Sequence, residues 1–273
     1  GGPTDPTDGG TQPFTFDDRT AELTLSGSNS AYIQIPFNNV DDDKAKAIEF
    51  RVSSNTPKES SLIKMMDVLG VETEWEFKVS QTTGSFADLN LYVSSSSELH
   101  SASIDNVRFF DGEHKQILIN KSEDGSNDTF NVYLRDSING RIRTEKASET
   151  LTIANSNWTG SGLGIGTSLR VGTSFSGSLD EFRLWKTPLE TGVLDIHTLQ
   201  PDSIAGNNYT ASSEDLVLRF DFENPFDLGT ESTISNHAIS TEYNVDGTAV
   251  GFSSIETYPY HFRSYERTIT IYC

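Results

Sequence analysis

Cysteine is nearly missing from this sequence. The single one, Cys273, is the last of 273 residues, so no disulfide can form within the chain and the fold must rest on packing or on a metal. Positive charge is scarce as well. Twenty Lys and Arg against forty Asp and Glu leave a net charge of −20, which repels phosphate backbones and anionic lipid and so excludes nucleic acid and membrane surfaces as partners. No run of about 18 apolar residues occurs, so no segment reads as a membrane-spanning helix and membrane insertion is not expected. His100, His114, His197, His237 and His261 are scattered with no pair four residues apart, which leaves a zinc site without support, and no G-x-S-x-G nucleophile elbow is present. The glycine-rich GSGLGIGTS at 160–168 is followed by neither a helical pattern nor a Lys. It therefore reads as a strand whose glycines permit close backbone approach, and not as a phosphate loop.

Helical periodicity is almost absent too, and what remains is a period of two. In KAIEFRVSS, Ile48, Phe50 and Val52 share one face and Glu49, Arg51 and Ser53 the other, as in a sheet with one side on a core. Trp75, Phe77 and Val79 oppose Glu72, Glu74, Glu76 and Lys78, and Leu89, Leu91 and Val93 oppose Asp88, Asn90, Tyr92 and Ser94. After FNVYLRDSI, the dipeptide Asn139-Gly140 suits the positive φ angles of a tight hairpin. One short helix is expected after Pro188, with Leu189, Val193, Ile196 and Leu199 on a stripe that ends before Pro201. A strong strand follows, with Leu216, Leu218, Phe220 and Phe222 on one side of it. Strands separated by Gly, Asn, Asp and Ser turns, without intervening helices, make an all-β, two-sheet antiparallel sandwich. Residues 1–13, rich in Gly, Pro, Thr and Asp, read as a flexible linker. The final RTITIYC stops partway through an alternating strand, so both ends are expected to continue in a longer polypeptide.

The segments LTLSGSNSAYIQIPF, AKAIEFRVSS, FFDGEHKQILINKSEDGSNDTFNVYLRDSING, LGIG and FSGSLDEFRLWKTPLE occur in an order that resembles the laminin-G-like, concanavalin-A-like jelly roll over residues 14–200. The last segment is the most specific part, and His114-Lys115 departs from the Trp-His usual in that family. Residues 201–273 are then a smaller β-rich C-terminal segment, the expected start of a further domain. An acidic, cysteine-poor jelly roll is also similar to modules in tail, neck or capsid-associated proteins of large tailed phages. The resemblance implies a non-enzymatic structural or adhesion module, extracellular or on a virion surface, whose partners are other protein subunits of an assembly or cell-surface glycan. A calcium-dependent, glycan-binding lectin is the alternative. A β-glucan hydrolase is a remote one, prompted by Glu72, Glu74 and Glu76 at the spacing of the laminarinase-like glycosidases, although a solvated strand face explains that row as well.

Site candidates follow from polar settings and from this resemblance. Tyr32, Tyr92, Tyr133 and Trp158 are candidates for glycan stacking or partner contact, while Trp75 and Trp185 read as core or core edge. In strict alternation Asp180 lies on the side of Phe182 and Leu184, where its carboxylate needs a partner. Backbone N–H groups or an Arg would serve. The resemblance offers Ca2+ instead, held by Asp180 with carbonyls near Phe16 and Asp17. The clusters VDDDKAK and SEDGSND lack EF-hand spacing and read as turns.

Overall fold

The computed structural model describes residues 23–26, 32–36, 45–66, 73–95, 98–138, 141–143, 147–154, 156, 158, 162–165, 175–209, 215–222, 231–238 and 246–250. The strands are β1 (Leu23–Ser26), β2 (Tyr32–Pro36), β3 (Ala47–Ser53), β4 (Ser60–Met66), β5 (Thr73–Thr83), β6 (Phe86–Ser95), β7 (Glu98–Arg108) and β8 (Lys115–Asp124). The chain continues through β9 (Asn127–Ile138), β10 (Arg141–Ile142), β11 (Ala147–Ala154), β12 (Gly162–Ile165) and β13 (Ser176–Trp185). Helix α1 (Thr191–Leu199), β14 (Leu216–Phe220), β15 (Glu231–Ile234) and β16 (Gly247–Val250) complete it.

The described pairings are antiparallel and build two sheets of eight strands. Sheet one runs β1-β13-β3-β8-β9-β10, with β11 also on β9 and β14 also on β13; sheet two runs β15-β16-β2-β12-β4-β5-β6-β7. Alternation in the sequence explains why the sheets stack. Ile48, Phe50 and Val52 of sheet one share a core with Trp75, Phe77, Val79, Leu89, Leu91 and Val93 of sheet two, and the rings of Phe50 and Phe77 meet edge to face at 6.0 Å. Each such side chain contributes about 1.5–3 kcal/mol by leaving water. The strands flanking Asn139-Gly140 pair as a hairpin, Arg141 opposite Ile138, and the glycine-rich β12 lies between β2 and β4 as an interior strand. Beyond residue 200, β14 joins sheet one while β15 and β16 extend sheet two, so strand pairing runs across the boundary expected there.

Sheet one differs from the expected half-solvated sheet. Glu49, Arg51 and Ser53, the polar half of β3, are buried, and β3 is buried along its whole length. Over Ala47 and Glu49 the cover is α1, which lies on the outer face of this sheet. Val193 and Leu194, with Leu189 just before the helix, pack on Ala47, Leu118, Trp185 and Leu216 in a second apolar cluster. The buried stripe of α1 is Val193, Leu194, His197 and Thr198, while Leu199 is exposed, so the helix is rotated from the stripe expected in the sequence. His197 turns inward because Glu49 awaits it on the sheet. Leu216 likewise parts from Leu218 and Phe220: an irregularity opposite Leu184 and Trp185 resets the alternation and sends Leu216 to the outer cluster.

Gly177 sits where β1 meets β13. A Cβ there would press into the backbone carbonyl oxygen of Ser53 and lie 2.7 Å from Cζ of Phe175. Backbone cannot yield as a flexible side chain can, so Gly177→Ala should cost about 2 kcal/mol or more. Urea denaturation checks this, and wild-type stability in the variant would contradict the close approach.

Candidate functional site

The outer face of sheet two carries the polar half of three alternating strands. Glu74, Glu76 and Lys78 project from β5, and Asn90 and Tyr92 from β6, all half-buried; Leu99 and Ser101 of β7 are exposed. Thr73, Trp75, Glu76, Lys78, Tyr92 and Leu99 line a shallow depression on this face. The Lys78 ammonium lies 5.9 Å from the centre of the Tyr92 ring, 3.7 Å from Oε1 of Glu59 and 3.9 Å from Oε2 of Glu76. Tyr92 thus offers an aromatic surface bordered by a donor, an acceptor and the aliphatic Leu99, which is 68% exposed. The sequence reading passed over Leu99. Its signal was an apolar residue on the solvent-facing phase of β7, opposite to the phase set by Ala102 and Ile104.

The other aromatic candidates do not join Tyr92. Trp158 is a correction: it is 1% exposed, stacks on Trp75 at 4.9 Å and 11°, and donates its indole N–H to the carbonyl of Ala45 at 2.6 Å. Trp75 in turn donates to the carbonyl of Trp158 at 2.9 Å, so both indoles satisfy their polar atom inside the core. A Gly- and Asn-rich setting suggested a surface loop, but the inward turn is made by tertiary contacts. Tyr133 is half-buried and packs against the apolar cluster beneath α1, apart from Tyr92. Tyr32 begins β2, but its side chain lies outside the described residues. Of the three glutamates that prompted the hydrolase comparison, Glu74 and Glu76 do share one face of β5, and Glu72 lies outside the described residues.

The acidic pair Asp180-Glu181 divides differently from the expected alternation. Between Asp180, opposite Arg51, and Arg183, opposite Glu49, β13 holds two residues against one on β3, which is a bulge. Glu181 takes a positive φ of 48° there. The bulge shifts the phase: Leu179 faces the core before it, Phe182 and Leu184 after it, and Asp180 is left on the outer side, half-buried. The buried acid is instead Glu181. Its carboxylate accepts from Arg183 Nη2 at 2.7 Å and from Arg219 Nε and Nη2 at 2.8 and 2.5 Å. Arg51 of β3 stands directly opposite Asp180. Among the described residues no group of three or more His, Cys, Asp and Glu is placed to hold a metal, and Phe16 and Asp17 lie outside them.

A second buried carboxylate completes this fastening. Glu49 receives Nδ1 of His197 at 2.8 and 2.9 Å, Nε2 of Gln116 at 2.8 Å and the indole of Trp185 at 3.1 Å, with Nη1 of Arg183 at 3.5 Å. The other ring nitrogen of His197 meets the carbonyl of Ala205 at 3.0 Å, so both nitrogens face acceptors. Burial alone would push the Glu49 carboxyl up, but the charges of His197 and Arg183, with hydrogen bonds from His197 and Gln116, hold it down at about 2. This network fixes α1 and the segment after it to sheet one.

No protein-family model and no curated protein sequence matches the chain. Solved structures do share its architecture. A putative carbohydrate binding protein from Bacteroides ovatus aligns with a TM-score of 0.54 at 13% identity, over 88% of this chain and 60% of its own length. A heptameric SAP-like pentraxin from Limulus polyphemus aligns with a TM-score of 0.46 at 16% identity, over 73% of this chain and 91% of the pentraxin. Domains LG4-5 of the mouse laminin alpha1 chain align with a TM-score of 0.39 at 13% identity, over 60% of this chain and 40% of theirs. This chain thus spans well under the full length of the Bacteroides and laminin structures. With two facing antiparallel sheets, one inter-sheet core and a single short helix among the described residues, the chain has the all-β, concanavalin-A-like jelly-roll fold.

Proposed function

We propose that this chain is a non-enzymatic binding module of a larger extracellular or virion-surface protein, and that it contacts glycan through the outer face of sheet two around Tyr92. The observation that carries this reading is the Tyr92 ring, set in a surface depression between Lys78, Glu76 and Leu99 on a rigid sheet. A sugar presents an apolar C–H face to such a ring and hydroxyls to its rim, where an ammonium donates and a carboxylate accepts. The fold supports the reading, since the Bacteroides ovatus protein that aligns with it carries the description of a putative carbohydrate binding protein. A protein subunit of the same assembly is the second reading, favoured by Leu99 standing 68% exposed on the terminal strand of sheet two.

A glycan array probed with the whole chain tests the proposal. Saturable binding to at least one glycan is expected, weakened about tenfold or more in Tyr92→Ala with the melting temperature held. An empty array, or a hit indifferent to Tyr92→Ala, would count against it. Incubation with β-glucan should release no new reducing ends; release that vanishes in Glu76→Gln would make the chain a hydrolase instead.

A further inference from the structure

We infer that Lys115 and Asp136 condense into an amide between their side chains, so that β8 and β9 are fastened covalently in a chain whose single cysteine allows no internal disulfide. The pair lies on the core-facing side of sheet one, so the inference is independent of the glycan contact at Tyr92. Lys115 falls on the phase of Ile117 and Ile119, and Asp136 on that of Val132 and Leu134, all four of which point into the core. The two residues stand directly opposite each other in the ladder of β8 and β9, with Val52 of β3 on the other side of Lys115. Residues so paired present the same face. Alternation thus calls for an apolar side chain at 115, and the chain has an amine there.

Lys115 is 1% exposed, and its Nζ lies 3.4 Å from Oδ2 of Asp136 and 2.8 Å from Oδ1 of Asp111. Asp111 is held in place by the turn before β8: its Oδ1 accepts the N–H of Glu113 at 3.0 Å, and Gly112 donates its own N–H to the carbonyl of Ser54 at 3.0 Å. Arg143, just after β10, completes the group, with Nε 3.1 Å from Oδ2 of Asp136 and Nη2 3.4 Å from Oδ2 of Asp111. An amine is therefore set against one carboxyl, with a second carboxyl at hydrogen-bond distance and a guanidinium on the oxygen of the first. In water, hydration of the two ions opposes their condensation. Holding them in contact while shielding the ammonium from solvent removes much of that opposition.

Each neighbour has a part in the step. Asp111 takes a proton from the Lys115 ammonium, and the freed lone pair attacks Cγ of Asp136 to form the new N–C bond. Oδ2 of Asp136 gathers negative charge as its double bond opens, and Arg143 beside it stabilises that charge. The bond from Cγ to Oδ1 then breaks. Oδ1 leaves as water with two of the three ammonium protons, carried across by Asp111, and the third stays on the amide nitrogen. One ammonium and one carboxylate become one neutral amide and one water, with no oxidant, cofactor or second reactant. Asp111 ends as it began, now paired with Arg143 alone.

Mass spectrometry of the whole chain under denaturing conditions reads this out. A species lighter than the sequence by one water, about 18 Da, is expected. Trypsin should then fail to cut after Lys115 and release peptide 109–121 joined to peptide 136–141. Lys115→Arg keeps the positive charge without the amine, and should restore both the full mass and the cut at 115. Asp111→Asn keeps the reacting pair and removes the proton carrier, so the linked fraction at a fixed time after refolding should fall about tenfold or more. The linked peptide is sought in the wild-type chain, so the result does not depend on how any variant folds. Two separate peptides with a cut after Lys115 overturn the inference and leave the four charges as a buried ion-pair cluster. Water lost within peptide 109–121 alone overturns it as well, because the amide would then be to Asp111. A link that forms undiminished in Asp111→Asn overturns the step assigned to Asp111.

Discussion

Glu181→Gln should lower the unfolding free energy by about 3–5 kcal/mol, more than Asp180→Asn beside it. The two acids are adjacent in sequence, yet only Glu181 is fully buried. Glu181 is 2% exposed and lies between Arg183, 0% exposed, and Arg219, 8% exposed. Removing its charge leaves two guanidiniums facing each other under α1 with no carboxylate between them. Arg183 also donates to the carbonyl of Pro201, so the same guanidinium joins the bulge of β13 to the segment that follows the helix. Arg219 belongs to β14, which means that the cluster holds that strand to β13 by side chains as well as by the ladder. Urea denaturation of both variants measures the contrast. Equal losses, or a greater loss from Asp180→Asn, would contradict the assignment of the buried role to Glu181.

Acid should weaken the same region within a defined window. The Glu49 carboxyl is held at about 2 in the folded chain against an ordinary value of 4.5. A carboxyl bound more weakly by protons in the folded state contributes stability that is complete above the unfolded value and is lost as pH falls through the folded one. The loss therefore lies between pH 4.5 and about 2, and its size is roughly 3 kcal/mol. Glu49→Gln keeps the shape of the side chain and removes its titration. The variant should be the less stable at neutral pH, with a shallower decline of stability over that window. Melting temperatures taken from pH 7 down to pH 2.5 decide it, and parallel curves for the two proteins would sink the prediction.

These two carboxylates also show where the sequence was silent. The alternation of β5 and β6 was legible because their outer face meets water: Trp75, Phe77, Val79, Leu89, Leu91 and Val93 are buried and the residues between them are not. On β3 and β13 the same rule failed, since α1 covers the outer face and turns polar residues into buried ones. A bulge changes the face of every later residue, and nothing local in GSLDEFRLW announces where the extra residue falls. Asp180 was therefore assigned the inward position that the bulge denies it. Trp158 misled for a related reason. Its neighbours Asn157 and Thr159 are polar, but the stacking with Trp75 that buries it joins residues 83 positions apart. Tyr92 was legible as a residue of the outer face because an aromatic on the polar phase of a two-sided strand has no core to enter.

Composition and period two alone determined that this chain folds as stacked antiparallel sheets, with no disulfide between its own residues and a net charge of −20. Those properties follow from local spacing and from total charge, which every residue carries into any conformation. Only the tertiary structure decided which acids lie in the interior, which tryptophan is a pillar and which tyrosine stands at the surface. Burial depends on what lies over a strand, and here the cover on sheet one comes from a helix that follows β3 by well over a hundred residues.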